Sequence, residues 1–248
     1  MSKINAVAKQ SVSLADFCEF VEANPERLQA ISEWPELWAK FYALYLNRNL
    51  LTDFFNEGLL DTSKFQFGNN YSGQSFLIVK KPGYYIRANV WPPAVYRGEA
   101  VAEEQFNRFY VYGDRYAHDH NFDFLTIGYY GPGYVTDLYT YDHRSVRGDV
   151  GEAVDLLSEG RHVLSEGSML LFEKSKDVHV QFPPDQLTIS LNFIPDLIPT
   201  RRQVMFDVEK KRVVKTEFPS SRRVHMDVLV DLLGSKETKS VYKNIVAD

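Results

Sequence analysis

The stretch RYAHDHNFDFLTIGYYGPGY, residues Arg115–Tyr134, contains two of the six histidines of the chain. Side chains alternate between the two faces of a strand, so His118 and His120 would point the same way, about 6.6 Å apart. Phe122 and Phe124 would continue that face if the strand stays regular. Two neutral imidazoles on one face can hold one metal ion, each through a ring nitrogen. The pair therefore predicts a metal site on a strand, and two histidines bonded to backbone are the alternative.

Strand-like runs extend well beyond this stretch. From about residue 70, β-branched and aromatic runs such as SFLIVKK, YYIRANVW and LTISLNFIP alternate with turns that are often rich in Gly, Pro, Asn, Asp or Lys. The run QVMFDVEKKRVVKTEF predicts a hairpin that turns at Glu209–Lys211. About eight to ten short strands, with no helical segment between them, favour a closed or double-sheet all-β unit.

Helical periodicity marks both ends of the chain. Ser13 and Asp16 have the spacing of a capping box, and apolar stripes follow to about residue 60. After the strands, an apolar stripe that includes Val224 predicts one helix, and Ser235 opens a second.

These patterns divide the chain into three predicted parts. They are an N-terminal helical segment (1–65), a β-barrel (66–220) and C-terminal helices (221–248). The terminal helices would cap the barrel mouth, cover a sheet edge or form a homodimer interface, and the sequence leaves these three open.

Composition limits the classes of partner and the compartment. The 248 residues carry a net charge of −5 with no run of five like charges, which argues against nucleic acid or an anionic membrane as the main partner. The single cysteine, Cys18, excludes an intrachain disulfide and fits a reducing compartment. No apolar leader or membrane-length stretch is present, so the expectation is a soluble, cytoplasmic protein.

The histidine pair resembles the first motif of the cupin family, in which a glycine precedes HxH. Gly113, His118 and His120 match that motif. The second cupin motif, a strand led by glycine, a turn and a third histidine, resembles EGSMLLFEKSKDVHVQF, with His179 on the returning strand. The resemblance implies a mainly β fold, the cupin-type double-stranded β-helix or jelly-roll barrel. It also implies that His118, His120 and His179 bind one divalent metal ion.

The acidic ligand of the cupin motif is missing. The family places it four intervening residues after the second histidine, where this chain has Leu125, and leucine cannot bind metal. Asp123 would lie on the opposite face of a regular strand and would reach the metal only through a bulge. We therefore expect a three-histidine site with open positions for substrate and dioxygen. The other histidines are assigned ordinary surface or structural roles: His143, His162 and His225.

Within the three-histidine cupins, the stretch AHDH is similar to the thiol dioxygenases, of which cysteine dioxygenase is the best known. Their Tyr-x-Arg strand carries an arginine that binds the substrate carboxylate, and YYIRANV places Arg87 similarly. A guanidinium suits this role because its planar fork binds a carboxylate through two hydrogen bonds, although a surface arginine is the alternative. The cross-linked cysteine of that branch is replaced by Leu125. Its Ser-His-Tyr set is reduced to Ser190, with Asn192 and Ile194 at the other two positions, so thiol oxidation is not expected.

The functional expectation is a mononuclear non-haem iron oxygenase that uses Fe(2+) and O2 on a small polar, carboxylate-bearing molecule. Arg87, Ser190 and Asn192 would contact or orient that substrate. Three tyrosines are further candidates for lining the barrel: Tyr112, Tyr129 and Tyr139. The alternatives are a non-redox lyase or isomerase that uses zinc, manganese, nickel or copper, and a ligand-binding cupin without turnover.

Overall fold

The structure is a computed structural model. It describes residues 2–62, 65–66, 69, 74–93, 95–96, 99–100, 117–197, 201–217, 229–230 and 232–247. Four of the residues singled out above lie outside this range: Tyr112, Gly113, Val224 and His225.

The described residues form short strands between helical ends. The strands are β1 (Ser2–Ile4), β2 (Ser75–Lys81), β3 (Tyr84–Trp91), β4 (Val95–Tyr96), β5 (Glu99–Ala100), β6 (Ala117–His118), β7 (Phe124–Tyr130), β8 (Val135–Thr140), β9 (Leu157–Val163), β10 (Met169–Phe172), β11 (Asp177–Gln181), β12 (Thr188–Pro195), β13 (Gln203–Asp207) and β14 (Arg212–Glu217). The helices are α1 (Leu14–Glu22), α2 (Pro35–Tyr45), α3 (Leu50–Leu60) and α4 (Lys236–Ala247), with 3-10 helices at Pro25–Glu33 and His143–Ser145.

Strand order identifies the architecture. Among the described residues, one antiparallel sheet of six strands has the order β1-β10-β7-β12-β3-β2 and a second has the order β14-β13-β6-β11-β8-β9. The eight strands β3 and β6 to β12, taken in chain order, occupy these sheets as 1-8-3-6 and 2-7-4-5. That order is a jelly roll, in which the chain passes repeatedly between two facing sheets. The predicted cupin-type jelly-roll barrel is confirmed.

The N-terminal helices cover the outer face of the first sheet. Helix α1 begins with the predicted capping box, in which the Ser13 hydroxyl accepts from the Asp16 backbone N–H at 3.0 Å. Its Phe17 contacts the ring of Phe193 on β12 with the centroids 5.8 Å apart, and Phe41 of α2 contacts the same ring at 6.2 Å. The helices and this sheet therefore share one hydrophobic core.

Strand alternation separates this outer core from the barrel interior. On β7, Leu125 packs into the core beneath the helices, whereas Phe124 packs inside the barrel. On β12, Phe193 and Ile194 divide in the same way. Each of these two strands therefore contributes one face to each core, as the period of two requires.

Two features differ from the sequence prediction. The stretch that contains His118 and His120 is not one strand, because β6 ends at His118 and β7 begins only at Phe124. The N-terminal segment is not wholly helical either, because residues of β1 pair with β10, with Ser2 opposite Leu171.

Other local predictions hold. Strands β13 and β14 form the expected hairpin, and its turn holds Lys211 at a positive φ of 49°. Helix α4 follows Ser235, whose hydroxyl accepts from the Thr238 backbone N–H at 3.1 Å. No helix in the described ranges combines the length and the apolar character of a membrane-spanning segment.

One glycine marks a close approach of backbone to backbone. A Cβ at Gly128 on β7 would lie 2.2 Å from the carbonyl oxygen of Ser165. The segment that carries Ser165 precedes β10, which pairs with β7, so only a residue without a side chain fits this crossing.

Candidate metal centre

Three histidines from different parts of the chain meet inside the barrel. His118 ends β6 and lies opposite His179 on β11, while His120 follows in the turn between β6 and β7. The Nε2 atom of His179 lies 3.0 Å from Nε2 of His120 and 3.1 Å from Nε2 of His118. One nitrogen from each ring lies within 4.8 Å of the other two. The three side chains that the sequence selected as metal ligands are therefore brought together.

The spacing of these nitrogens fits a shared metal ion. Two ligands at about 2.1 Å from a metal and at right angles to each other lie about 3.0 Å apart. Nε2 of His179 faces two other imidazole nitrogens, yet it carries either one proton or one lone pair, so it cannot form a regular hydrogen bond to both. A cation at the point where the three nitrogens converge accepts all three lone pairs. The donor set therefore fits a divalent metal.

The environment of the triad favours the neutral form that binds metal. Burial lowers the pKa of His120 well below its ordinary value, and the nearby His118 and the charge of Arg87 lower it further. Burial also lowers the pKa of His179 well below its ordinary value, with His118 and His120 adding to the effect. Neutral imidazoles keep their lone pairs for coordination, so the site does not have to release protons before it binds an ion.

Asp119, between the two histidines of the HxH stretch, fixes the turn that carries them. Its carboxylate accepts from the Tyr141 hydroxyl and from the Val204 backbone N–H, both at 2.6 Å, and its own N–H donates to the Val204 carbonyl at 3.1 Å. Burial raises the pKa of Asp119 to about 6, against the opposing effect of these hydrogen bonds. Sequence reasoning missed this residue, although an acid enclosed by two candidate ligands was a visible signal.

The turn that carries His120 is also tied to the turn before β11. The backbone N–H of Ser175 donates to the carbonyl of His120 at 2.7 Å. Oδ1 of Asp123 accepts from the Lys174 backbone N–H at 2.6 Å. Asp123 is not one of the residues grouped around the triad, so the structure does not place it as a fourth ligand.

A small cavity of about 30 Å³ adjoins the triad. That volume holds about two water molecules. We call its polar lining residues the polar wall and its apolar lining residues the apolar wall. The polar lining residues are Arg87, Asn89, Gln181 and Asn192, and the apolar ones are Trp91, Phe124 and Tyr134.

Two members of the polar wall lie on neighbouring strands. Arg87 on β3 lies directly opposite Asn192 on β12, and both are only 6% exposed. The Thr126 hydroxyl donates to Oδ1 of Asn192 at 2.9 Å, which leaves the amide NH2 of Asn192 as its donor group. Arg87 and Asn192 therefore both line the cavity beside the triad.

Ser190 lies beyond this wall. Its side chain is fully buried and is not among the cavity-lining residues. Its hydroxyl accepts from Nε1 of Trp91 at 2.9 Å, and Trp91 itself lines the cavity. The structure therefore places Ser190 behind Trp91, where it orients the indole rather than meeting a ligand directly.

The β7 side chain that lies beside the triad is that of Phe124, not that of Leu125. Leu125, which the motif spacing selected, faces the helices and is fully buried there. Phe124 instead lies beside the triad, with its ring centroid 4.7 Å from that of His120 and 4.6 Å from that of Phe172. The two phenylalanine rings are stacked, and they close the side of the triad where a fourth protein ligand would approach.

Two of the three tyrosines named from the sequence do not line the cavity. Tyr129 lies under the helices, where its hydroxyl donates to the Asn47 carbonyl at 2.8 Å. Tyr139 packs against a separate apolar cluster, and Tyr134 lines the cavity instead. Tyr112 lies outside the described residues.

The remaining described histidines lie away from the triad. Nε2 of His162 is 3.0 Å from the Ser168 hydroxyl, and His143 begins a 3-10 helix beside a second cleft. His225 falls outside the described residues.

No family model matches this chain, and no curated protein matches it. Among solved structures, it is similar to hydroquinone 1,2-dioxygenase from Sphingomonas sp. TTNP3, with a TM-score of 0.32 and 12% identity over 60% of this chain and 78% of that chain. It is also similar to a cupin-2 domain containing protein from Shewanella frigidimarina, with a TM-score of 0.27 and 12% identity over 55% of this chain and 98% of that chain. The fold assignment rests on the strand order of the two sheets.

Proposed function

We propose that this protein is a mononuclear metal-dependent oxygenase of the dioxygenase type, with non-haem iron(II) as its metal and a small carboxylate-bearing molecule as its substrate. The observation that carries the proposal is the convergence of His118, His120 and His179 on a small cavity that has both polar and apolar lining residues. The three imidazoles would hold the metal and leave its remaining positions to substrate and dioxygen.

The polar wall supports an anionic substrate. Arg87 and the amide NH2 of Asn192 are both hydrogen-bond donors, and they lie side by side across two strands. A buried guanidinium binds a carboxylate strongly because its fork donates two parallel hydrogen bonds in a medium of low dielectric constant. Arg87 would therefore anchor the carboxylate, and Asn192 would fix its orientation relative to the triad.

The apolar wall supports dioxygen as the second reactant. Phe124, a member of that wall, stacks on Phe172, and both rings lie against His120. Apolar side chains favour contact with a small apolar molecule such as dioxygen over contact with water. Held by the three histidines, iron(II) would supply redox chemistry with dioxygen. The wall would exclude bulk water from the same space and so limit competing reactions.

Cavity size restricts the substrate. A volume of about 30 Å³ accepts a molecule of only a few heavy atoms unless a lining side chain moves. Arg87 and Gln181 are the longest flexible side chains of the polar wall, and rotation of either one enlarges the space. A small polar acid is therefore the substrate class to test first.

A non-redox reaction is the second candidate, because three neutral imidazoles are also a common donor set for zinc. Zinc, manganese, nickel or copper in the same triad would serve a lyase or isomerase by Lewis acidity. Consumption of dioxygen separates this candidate from the first, and binding without turnover would be the result for a ligand-binding protein.

The experiment is an oxygen-uptake screen of the iron-loaded protein with a panel of small carboxylic acids. We expect uptake with at least one acid, and we expect cysteine and 3-mercaptopropionate to be inert because Leu125 and Ile194 stand where the thiol dioxygenases have their cross-linked cysteine and tyrosine. In Arg87→Ala, binding of an accepted acid should weaken by about 1.5–3 kcal/mol. Arg87→Lys should recover only part of that loss, because the fork is absent.

The matched control is Arg161→Ala, which removes an exposed arginine paired with Asp137 on the outside of the second sheet. It should leave uptake unchanged. Full metal content without uptake from any acid would contradict the oxygenase proposal. Unchanged kinetics in Arg87→Ala would contradict the anchoring role alone.

A further inference from the structure

A second cleft, of about 350 Å³, adjoins the turn that carries Asp119 and His120. Tyr141, whose hydroxyl binds Asp119, and Ser175, whose N–H binds the His120 carbonyl, both line it. Its other charged or titratable lining residues are His143, Arg147, Asp149, Arg201 and Arg202. None of these is a member of the triad or of its cavity.

The cleft has an excess of positive charge. It presents three guanidinium groups and one carboxylate, that of Asp149. Asp149 forms an ion pair with Arg147 at 3.3 Å. Glu152, nearby, uses one carboxylate oxygen to accept from the backbone N–H groups of Gly148 and Asp149, at 2.8 and 3.1 Å. The two acidic groups near Arg147, Asp149 and Glu152, are therefore already ion-paired or hydrogen-bonded.

Arg201 is a further source of positive charge in the cleft. Within the described residues it forms no ion pair with a carboxylate. Its field reaches the cleft: burial lowers the pKa of His143, and Arg201 is the next largest cause of that decrease. A potential that discourages protonation of one lining residue attracts an anion to the same space.

The cleft is also lined by Ser175, whose hydroxyl is buried. Ser175 is 3% exposed, and its Oγ has no hydrogen-bond partner among the described residues. A buried hydroxyl without a partner is unusual in folded proteins, and an acceptor in the cleft would satisfy it. This observation is independent of the charge count and points to the same kind of ligand.

We propose that this cleft binds a small phosphate-type oxyanion, as inorganic phosphate or as the phosphate group of a small ester. Guanidinium forks match the geometry of phosphate oxygens, and a tetrahedral dianion presents enough acceptors for Arg201, Arg202 and the Ser175 hydroxyl together. A planar carboxylate has fewer acceptors and a single charge. This proposal is independent of the chemistry at the triad.

The test is calorimetric titration of the full-length protein with inorganic phosphate and with glycerol 3-phosphate, at an ionic strength held constant with chloride. We expect saturable binding of phosphate at millimolar or lower concentration. Arg201→Gln should weaken it about tenfold, the effect of a lost charged hydrogen bond. Ser175→Ala should weaken it by a smaller factor. Tighter binding of glycerol 3-phosphate would identify an ester as the ligand, and equal binding would identify the free ion.

Two controls locate the ion. Arg144→Gln removes an exposed arginine that is bound to Asp142 and does not line the cleft, and it should leave the affinity unchanged. His179→Ala disrupts the triad and should also leave it unchanged. Absence of saturable binding, an unaltered affinity in Arg201→Gln, or an equal loss in either control would overturn the proposal.

Discussion

His118 and His179 are cross-strand partners on β6 and β11, with their Nε2 atoms 3.1 Å apart. Residues that face each other across antiparallel strands have close Cβ atoms, so backbone pairing alone brings two of the three candidate ligands together. His120 completes the set from the following turn. Two parts of the site are thus held by the sheet and the third by the hydrogen bonds of the turn.

Removal of any one imidazole of the triad should remove most of the bound metal. In His118→Ala, His120→Ala and His179→Ala, two remaining neutral ligands hold a divalent ion much more weakly than three. Metal content is measured after purification, with circular dichroism as the test of folding. His162→Ala is the control, since its imidazole contacts Ser168 outside the triad. A folded His179→Ala protein with its full metal content would refute the assignment of the third ligand.

Asp119 should govern metal affinity without touching the metal. Asp119→Asn weakens the acceptor that fixes the turn, and Tyr141→Phe removes its hydroxyl donor. Each should lower metal affinity by about 10–100-fold, the usual effect of losing an outer hydrogen-bond partner. Competition with a chromophoric chelator measures the affinity, and the control is Tyr139→Phe, which changes a tyrosine two residues before Tyr141 that has no bond to Asp119. Equal metal affinities in all three variants would show that the hydrogen bonds of Asp119 are not needed to hold the turn in shape.

The position of the acidic ligand can be tested by placing a glutamate at either of the first two residues of β7, Phe124 or Leu125. Phe124→Glu would place an acid beside His120, so metal should raise the melting temperature of this variant more than that of the parent protein. Leu125→Glu would bury an unpaired carboxylate under the helices and should destabilise the protein by about 3–5 kcal/mol, with or without metal. Thermal unfolding with and without the ion distinguishes the two. If the metal raised the melting temperature of Leu125→Glu alone, residue 125 would be the ligand position, as motif spacing predicts.

Gly128 should tolerate no side chain. Its Cβ would lie 2.2 Å from a backbone oxygen that cannot rotate away, whereas a Cβ at Gly160 would meet nothing within 4 Å. Gly160 has a φ of 88°, so alanine there should cost only about 1–2 kcal/mol of backbone strain. Urea unfolding of Gly128→Ala should show a clearly larger loss than that of Gly160→Ala. Similar losses would mean that the β7 crossing adjusts easily.

The sequence revealed whatever depends on local period and spacing. The capping box at Ser13, the hairpin around Lys211 and the alternation of the barrel strands are local patterns, and all three are present. The triad was also accessible, because His118 and His120 are close in sequence and His179 lies on a strand with a recognisable turn before it.

The sequence could not show the register across the break between β6 and β7. Five residues, 119–123, leave the strand geometry, and only the structure shows that Phe124 nevertheless keeps the face of the histidines, as regular alternation predicted, whereas motif spacing pointed to Leu125. The role of Asp119 was hidden for a different reason. Its partners Tyr141 and Val204 lie on other elements, and only the fold brings them to the turn.

The pairing of β1 with β10 has a consequence for how the chain acquires its structure. Ser2 pairs with Leu171, so β1 leaves the ribosome well before its partner strand β10 has been synthesised. Contacts between residues so far apart in sequence form late and slow the overall rate of folding. We therefore expect the pairing of β1 with β10 to be a late step in the assembly of the first sheet, possible only once residue 172 has left the ribosome.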